Sequence, residues 1–293
     1  MISMQRIILV DNGSRRADSV LNLKRLASLM SERSAKTIDA VPLQHAHKIP
    51  PEAFGDALGG KRVATFGEYL EEALISGVDE LVIIPMFFGK SRAITSFIPD
   101  TLDTIQKTHG KINWSIADEL CPLPGGEPQL ARLLFENLRT LTDEKLTKID
   151  CVVLVDHGSP FKKVTDVRVK LAGQLASYLP EHIPLLQAVM ERREGPEYDF
   201  NGSLLQDLLE KLARENEVLK VAISMLFLSP GRHAGKGGDI AEICGHVMQN
   251  HPGLSVHISP LVGENPLLID LLCDRLQQSL DRPMDGAGPK TRT

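Results

Sequence analysis

Two hydrophobic rhythms alternate along the whole of this chain. Short apolar runs, Ile7–Val10, Leu81–Ile84, Val152–Val155 and Val221–Ile223, are built from Val, Ile and Leu. Unbroken runs of that length suit strands buried on both faces. Between them a helical period takes over. Val20, Leu23, Leu26, Ala27 and Met30 fall on one face, as do Leu204, Leu205, Leu208, Leu209 and Leu212. Strands alternating with helices of this kind imply a parallel α/β sheet. The pattern predicts strands over 6–11, 36–41, 80–85 and 112–117, with helices over 18–32, 67–77, 94–107 and 128–141. The series then repeats, with strands over 151–156, 184–190, 219–225 and 254–259 and helices over 164–178, 203–215, 238–249 and 266–279.

The repetition extends to the residues themselves. Arg6-Ile-Ile-Leu-Val-Asp-Asn-Gly-Ser14 returns 145 residues later as Cys151-Val-Val-Leu-Val-Asp-His-Gly-Ser159. Pro85-Met-Phe-Phe88 matches Met225-Leu-Phe-Leu228, and Leu123-Pro-Gly-Gly-Glu-Pro128 matches Leu261-Val-Gly-Glu-Asn-Pro266. Each match after the first needs small insertions or deletions. Duplication of one ancestral unit is the economical reading. It predicts two doubly wound domains, 1–140 and 150–280, each a four-stranded parallel sheet flanked by helices. The polar segment Leu141–Ile149 reads as the linker, and 281–293, rich in Gly and Pro, as a disordered tail.

Composition narrows the partners. At 293 residues the chain has room for two such domains, and 42% hydrophobic content supports a real core. A net charge of -5 argues against general nucleic-acid binding but leaves room for a local basic pocket. No secretory signal and no apolar stretch near ~20 residues is present, so a cytoplasmic protein without a membrane span is expected. The four cysteines, Cys121, Cys151, Cys244 and Cys273, form no Cys-x-x-Cys pair and read as reduced thiols.

The repeats differ where chemistry is expected. Asp, Gly and Ser recur in the first-strand turn, which gives them a structural reading, whereas Asn12 becomes His157. Ser159 can also cap the next helix. After the third strand, Ser229-Pro-Gly-Arg-His-Ala-Gly-Lys-Gly-Gly-Asp-Ile240 brings His233 between Arg232 and Lys236. The first-half loop, Gly89-Lys-Ser-Arg-Ala-Ile94, has no histidine. The glycine spacing of the second loop fits neither a phosphate loop nor a dinucleotide fingerprint. Open α/β sheets bind ligands at the carboxyl ends of their strands, and the first and third strands are often neighbours there. Two imidazoles facing one cleft would suit Co²⁺, Fe²⁺, Ni²⁺ or Zn²⁺ and leave coordination positions open. A third segment, Met190-Glu-Arg-Arg-Glu-Gly-Pro-Glu-Tyr198, is either a solvated loop or a ligand site. In the second case Arg192 and Arg193 would hold carboxylates, and Glu191 or Glu194 would accept protons or touch the metal. His45, His47, His246 and His251 read as surface residues.

Taken together, the strand–His-Gly-Ser turn, the Leu-Phe-Leu-Ser-Pro-Gly-Arg-His loop and the Gly-Glu-Asn-Pro-Leu-Leu helix start resemble the CbiX/SirB family of class II tetrapyrrole chelatases. The resemblance spans nearly the whole chain and implies the long form with two chelatase-like domains. It implies insertion of a divalent metal, Co²⁺ or Fe²⁺ with Ni²⁺ a further candidate, into sirohydrochlorin or a related tetrapyrrole. The metal would be a substrate, and no organic cofactor is expected. Carried over residue by residue, His157 and His233 would bind the metal and assist deprotonation, with Glu191 the best-placed acid. Ser159, Arg192, Arg193, Arg232 and Lys236 would meet the substrate and its carboxylates. The first half lacks both histidines, so one active site is expected, in a monomer or weak dimer. Two other readings stand beside this one: a non-catalytic metal or tetrapyrrole carrier on the same fold, and a hydrolase with Ser159 as nucleophile and His157 as base.

Overall fold

The computed structural model describes residues 4–141 and 148–282. Most of the polar linker segment and nearly all of the tail expected at 281–293 lie outside the described residues. All eight expected strands and all eight expected helices are present. In chain order they are β1 (Gln5–Asp11), α1 (Ala17–Ser34), β2 (Ile38–Pro42), α2 (Phe66–Ile75), β3 (Glu80–Pro85), α3 (Ile98–His109), β4 (Asn113–Ile116) and α4 (Pro128–Arg139). The second series is β5 (Cys151–Asp156), α5 (Lys162–Ala176), β6 (Leu185–Val189), α6 (Leu205–Glu215), β7 (Leu219–Met225), α7 (Asp239–Asn250), β8 (Leu254–Ile258) and α8 (Leu267–Leu280). Short 3-10 turns at Ala46–Lys48, Pro51–Leu58, Pro196–Asn201 and Val262–Glu264 add to this plan. The helix expected from 94 opens instead with a π-type turn, Ala93–Phe97, before α3. Pro99 comes just after that π-type turn, inside a stretch already helical from Arg92, and has no N–H to give to the preceding turn.

The strands form two separate four-stranded parallel sheets, ordered β2-β1-β3-β4 and β6-β5-β7-β8. The central pairs are the apolar runs. Ile8, Leu9 and Val10 of β1 and all four residues Val152–Val155 of β5 have no exposed surface. Helices cover both faces of each sheet, which is why these strands carry no alternating pattern. Replacing one such side chain with alanine typically costs about 2–5 kcal/mol.

Contacts divide the chain into two compact units that are not its sequence halves. Unit 1 runs to Leu120 and resumes at Ile269; unit 2 is Cys121–Leu268. Each unit therefore holds the first three helices of its own repeat and the last helix of the other. In unit 2, α4 buries Leu130, Leu133, Leu134 and Leu138, and Phe135 stacks on Tyr178 at 5.6 Å between centroids. Asn137 of α4 donates to Pro260 O at 3.2 Å and accepts from Asn265 Nδ2 at 2.7 Å. In unit 1, α8 buries Leu271, Leu272 and Leu276. Arg275, 5% exposed, donates to the carbonyls of Glu119 and Leu120 at 3.0 and 3.3 Å. Asp270 accepts from Arg33 at 2.9 Å.

Candidate metal and substrate site

The order β6-β5-β7-β8 makes β5 and β7 neighbours, so the loops after them leave the same edge of the sheet side by side. Leu226 N–H donates to Val155 O at 2.9 Å and carries the β7 strand line up to that edge. His157 follows β5, and His233 sits in the loop after β7. Their imidazoles meet edge to face, with centroids 4.7 Å apart and planes at 80°. Glu191, just past β6, brings Oε1 to 3.4 Å from His157 Nε2. His157 Nδ1 faces Gly158 O at 3.2 Å, and His233 Nδ1 faces Asp239 Oδ2 at 2.6 Å. The side chains of His157 and His233 keep 46% and 31% of their surface exposed, so both rings remain open to a ligand. Among the described residues, no group of three or more His, Cys, Asp and Glu side chains is gathered as a metal cage.

The turn carrying His157 is over-determined. Gly158 has φ +91°, and a Cβ there would lie 1.9 Å from Glu191 O. Only glycine lets the turn pass this close to the chain after β6. Asp156 closes the turn by accepting from Gly158 N–H at 3.1 Å. Beneath it lies a buried network. Arg168, 2% exposed, pairs with Asp156 at 2.7 Å and donates to Ala188 O, Asn201 O and Gln187 Oε1. Asn201, fully buried, accepts from Ser159 N–H at 3.0 Å and donates to Ser159 O at 2.9 Å. Burial pushes the Asp156 carboxyl above its ordinary range, and the Arg168 guanidinium opposes that rise.

The remaining residues expected at the site divide by exposure and engagement. Ser159 Oγ accepts from Phe161 N–H at 3.0 Å, holding the entry to α5. Arg192 is engaged by Asp199 at 3.1 Å and by Gly202 O at 3.3 Å. Arg193 lies 5.9 Å from the Tyr198 ring. Arg232 is 81% exposed, with Nε 3.9 Å from Asp239. Lys236 lines a cavity of about 540 Å³ together with Met225, Ser259, Leu261 and Glu264. Arg168, Asn201 and Asp239 were not singled out in the sequence. Asp239 alone left a signal there: a carboxylate opening the helix that follows a histidine loop.

Unit 1 repeats the turn without the donors. Gly13 has φ +81°, its Cβ would lie 1.8 Å from Gln44 O, and its N–H meets Asp11 at 2.9 Å. Met86 N–H donates to Val10 O at 2.8 Å, as Leu226 does to Val155. These pairs set Asn12 against His157 and Gln44 against Glu191, and counting on from Met86 and Leu226 puts Ala93 and its neighbours at the sequence position of His233. Two of the three donor side chains are thus matched by uncharged amides. The Asp–Arg pair is also missing, because Leu23 occupies the place of Arg168. A cavity of about 280 Å³ in unit 1 lies at the other end of the strands, among Arg6, Lys24, Asp39, Tyr69 and Glu72.

All four cysteines are free thiols, and burial raises Cys151 to about 11 and Cys244 to about 12, which keeps those two unreactive. Among the described residues no helix is long and apolar enough to cross a membrane.

Comparison with known proteins agrees with this architecture. The sequence model of the CbiX family matches residues 151–279. SirB from Bacillus subtilis, solved with Fe³⁺, superposes with a TM-score of 0.68 at 12% identity, over 95% of this chain and 96% of that one. DR2241 from Deinococcus radiodurans, a multi-domain protein with structural similarity to chelatases, gives a TM-score of 0.62 at 13% identity. That match covers 98% of this chain and 57% of DR2241. No curated protein sequence matches the chain. Residues 151–279, which hold both histidines and Glu191, match the CbiX family model, and the chain that carries them has the two-domain chelatase-like fold.

Proposed function

We propose that the protein is a tetrapyrrole metal chelatase that inserts Co²⁺ or Fe²⁺ into sirohydrochlorin or a close relative, serving cobalamin or siroheme synthesis. One observation carries this reading: the segment that matches the CbiX family model holds two imidazoles 4.7 Å apart, with a carboxylate 3.4 Å from one of them, at the carboxyl edge of its sheet. One ion can reach both rings through metal–nitrogen bonds of about 2.0–2.1 Å. Insertion must also remove two pyrrole protons. A neutral imidazole can accept a proton as well as carry metal, and Glu191 lies within reach of His157 to take one onward. The substrate carries several carboxylates. Arg232 and Lys236 are exposed beside His233, and Arg193 is exposed in the segment that carries Glu191, whereas Arg192 is already engaged by Asp199. Ser159 shapes the turn, and its hydroxyl is taken up by Phe161 N–H, which weighs against a nucleophilic role.

The test is an anaerobic insertion assay with sirohydrochlorin and Co²⁺, Fe²⁺ or Ni²⁺. Wild type should accelerate insertion of at least one metal. His157→Ala and His233→Ala should each cost about 10²–10⁴-fold while the fold survives. Full activity in both variants would sink the reading. The absence of donors at Asn12, Gln44 and Ala93 favours one alternative, a carrier. A protein that binds both metal and tetrapyrrole yet never speeds insertion would establish it.

A further inference from the structure

We propose that Asp239 is a positioning residue for His233, fixing which ring nitrogen is offered to the metal. This rests on reading His233 as a metal donor. The Asp239 Oδ2 to His233 Nδ1 distance, 2.6 Å, is that of a strong charge-assisted hydrogen bond. A carboxylate can only accept, so Nδ1 carries the proton and Nε2 keeps the free lone pair. A carboxylate behind a histidine also makes the imidazole a better donor.

The backbone holds both partners in place. Asp239 N–H donates to Arg232 O and Ile240 N–H to His233 O, each at 3.2 Å, while Gly231 N–H donates to Ala234 O at 2.8 Å. The loop therefore closes on the first turn of α7, where the helix dipole favours a carboxylate. The Arg232 guanidinium stands 3.9 Å from Oδ2 on a largely exposed side chain and competes weakly. His157 is held differently, with Nδ1 against a backbone carbonyl and Nε2 toward Glu191. Asp239 also opens a helix, and a helix-start role alone would leave the imidazole unaffected.

The full-length protein tests this through two readouts independent of insertion. Imidazole ¹⁵N NMR of the metal-free protein should show His233 protonated at Nδ1 in wild type. Asp239→Asn, whose amide oxygen still accepts, should keep that tautomer, and Asp239→Ala should lose it. Titration with Co²⁺ alone, read by its visible absorption, should show about 10–100-fold weaker binding in Asp239→Ala. Insertion by that variant should fall mainly through a raised KM for metal. Asp239→Ser, which keeps a helix-start oxygen, provides the same comparison if the alanine variant does not fold. An Nε2-protonated His233 in wild type overturns the proposal. So does a folded Asp239→Ala or Asp239→Ser variant with unchanged tautomer and Co²⁺ affinity. If wild type shows the expected tautomer and Co²⁺ binding but no insertion, the chelatase reading fails and the positioning role stands.

Discussion

Asp11 and Asp156 occupy the same place in the two repeats but are held by different surroundings. Asp156 is paired with buried Arg168, whereas Asp11 accepts from the Gly13 N–H and buried Leu23 stands at the sequence position that matches Arg168. Burial raises Asp11 from 3.8 to about 6. Between those values the native chain keeps a proton that the unfolded chain has lost. Stability from this site is therefore complete below 3.8 and disappears as pH rises through 6. Asp11→Asn should therefore compare more favourably with wild type at pH 7.5 than at pH 4.5, by urea midpoints; a pH-independent difference would contradict this. Arg168→Leu copies unit 1's residue into unit 2 and strands the Asp156 carboxylate. It should cost about 3–5 kcal/mol, and adding Asp156→Asn should restore part of that, by urea denaturation. The repeated Asp was legible in the sequence, as was the histidine difference. Arg168 was not, because arginine is usually exposed and nothing in a helical pattern marks one as buried. The residue pattern alone left Glu191 and Glu194 open, the resemblance favoured Glu191, and the chain after β6 brings Glu191 against His157.

The strands and helices were legible because burial on both faces removes alternation from the strands, and burial on one face imposes a 3.6-residue period on the helices. The 3-10 turns and the π-type opening before α3 are too short to show a period. Turn geometry was only partly legible. Repeated glycine implied a tight turn, but not that Glu191 O passes 1.9 Å from where its Cβ would stand. Gly158→Ala should therefore destabilise unit 2 and displace the chain around Glu191, lowering Co²⁺ binding. Gly173, exposed within α5, would meet nothing within 4 Å. Its replacement by Ala should stabilise by roughly 0.5–1 kcal/mol. Thermal melts and Co²⁺ titrations of the two variants check both expectations, and similar behaviour at the two sites would refute the close-approach argument.

At the scale of the whole chain, sequence repeats and compact units diverge. The apolar faces of α4 and α8 announce that each covers a sheet, but periodicity cannot name which one. Their placement rests on specific partners such as Arg275 with the carbonyls of Glu119 and Leu120, and Asn137 with Pro260 and Asn265. A chain ending after Leu268 should keep a protected unit 2 and lose protection in unit 1, read by hydrogen exchange; unchanged protection in unit 1 would show that α8 is dispensable there. The exchange of last helices also dictates an order of events during synthesis. Translation delivers the β1 sheet before the β5 sheet, yet unit 1 stays incomplete until α8 is available. Unit 2 has all its residues once Leu268 is joined. The histidine-bearing unit, begun after the other, can thus finish folding before it on a growing chain, and the earlier-made sheet must wait with an uncovered face.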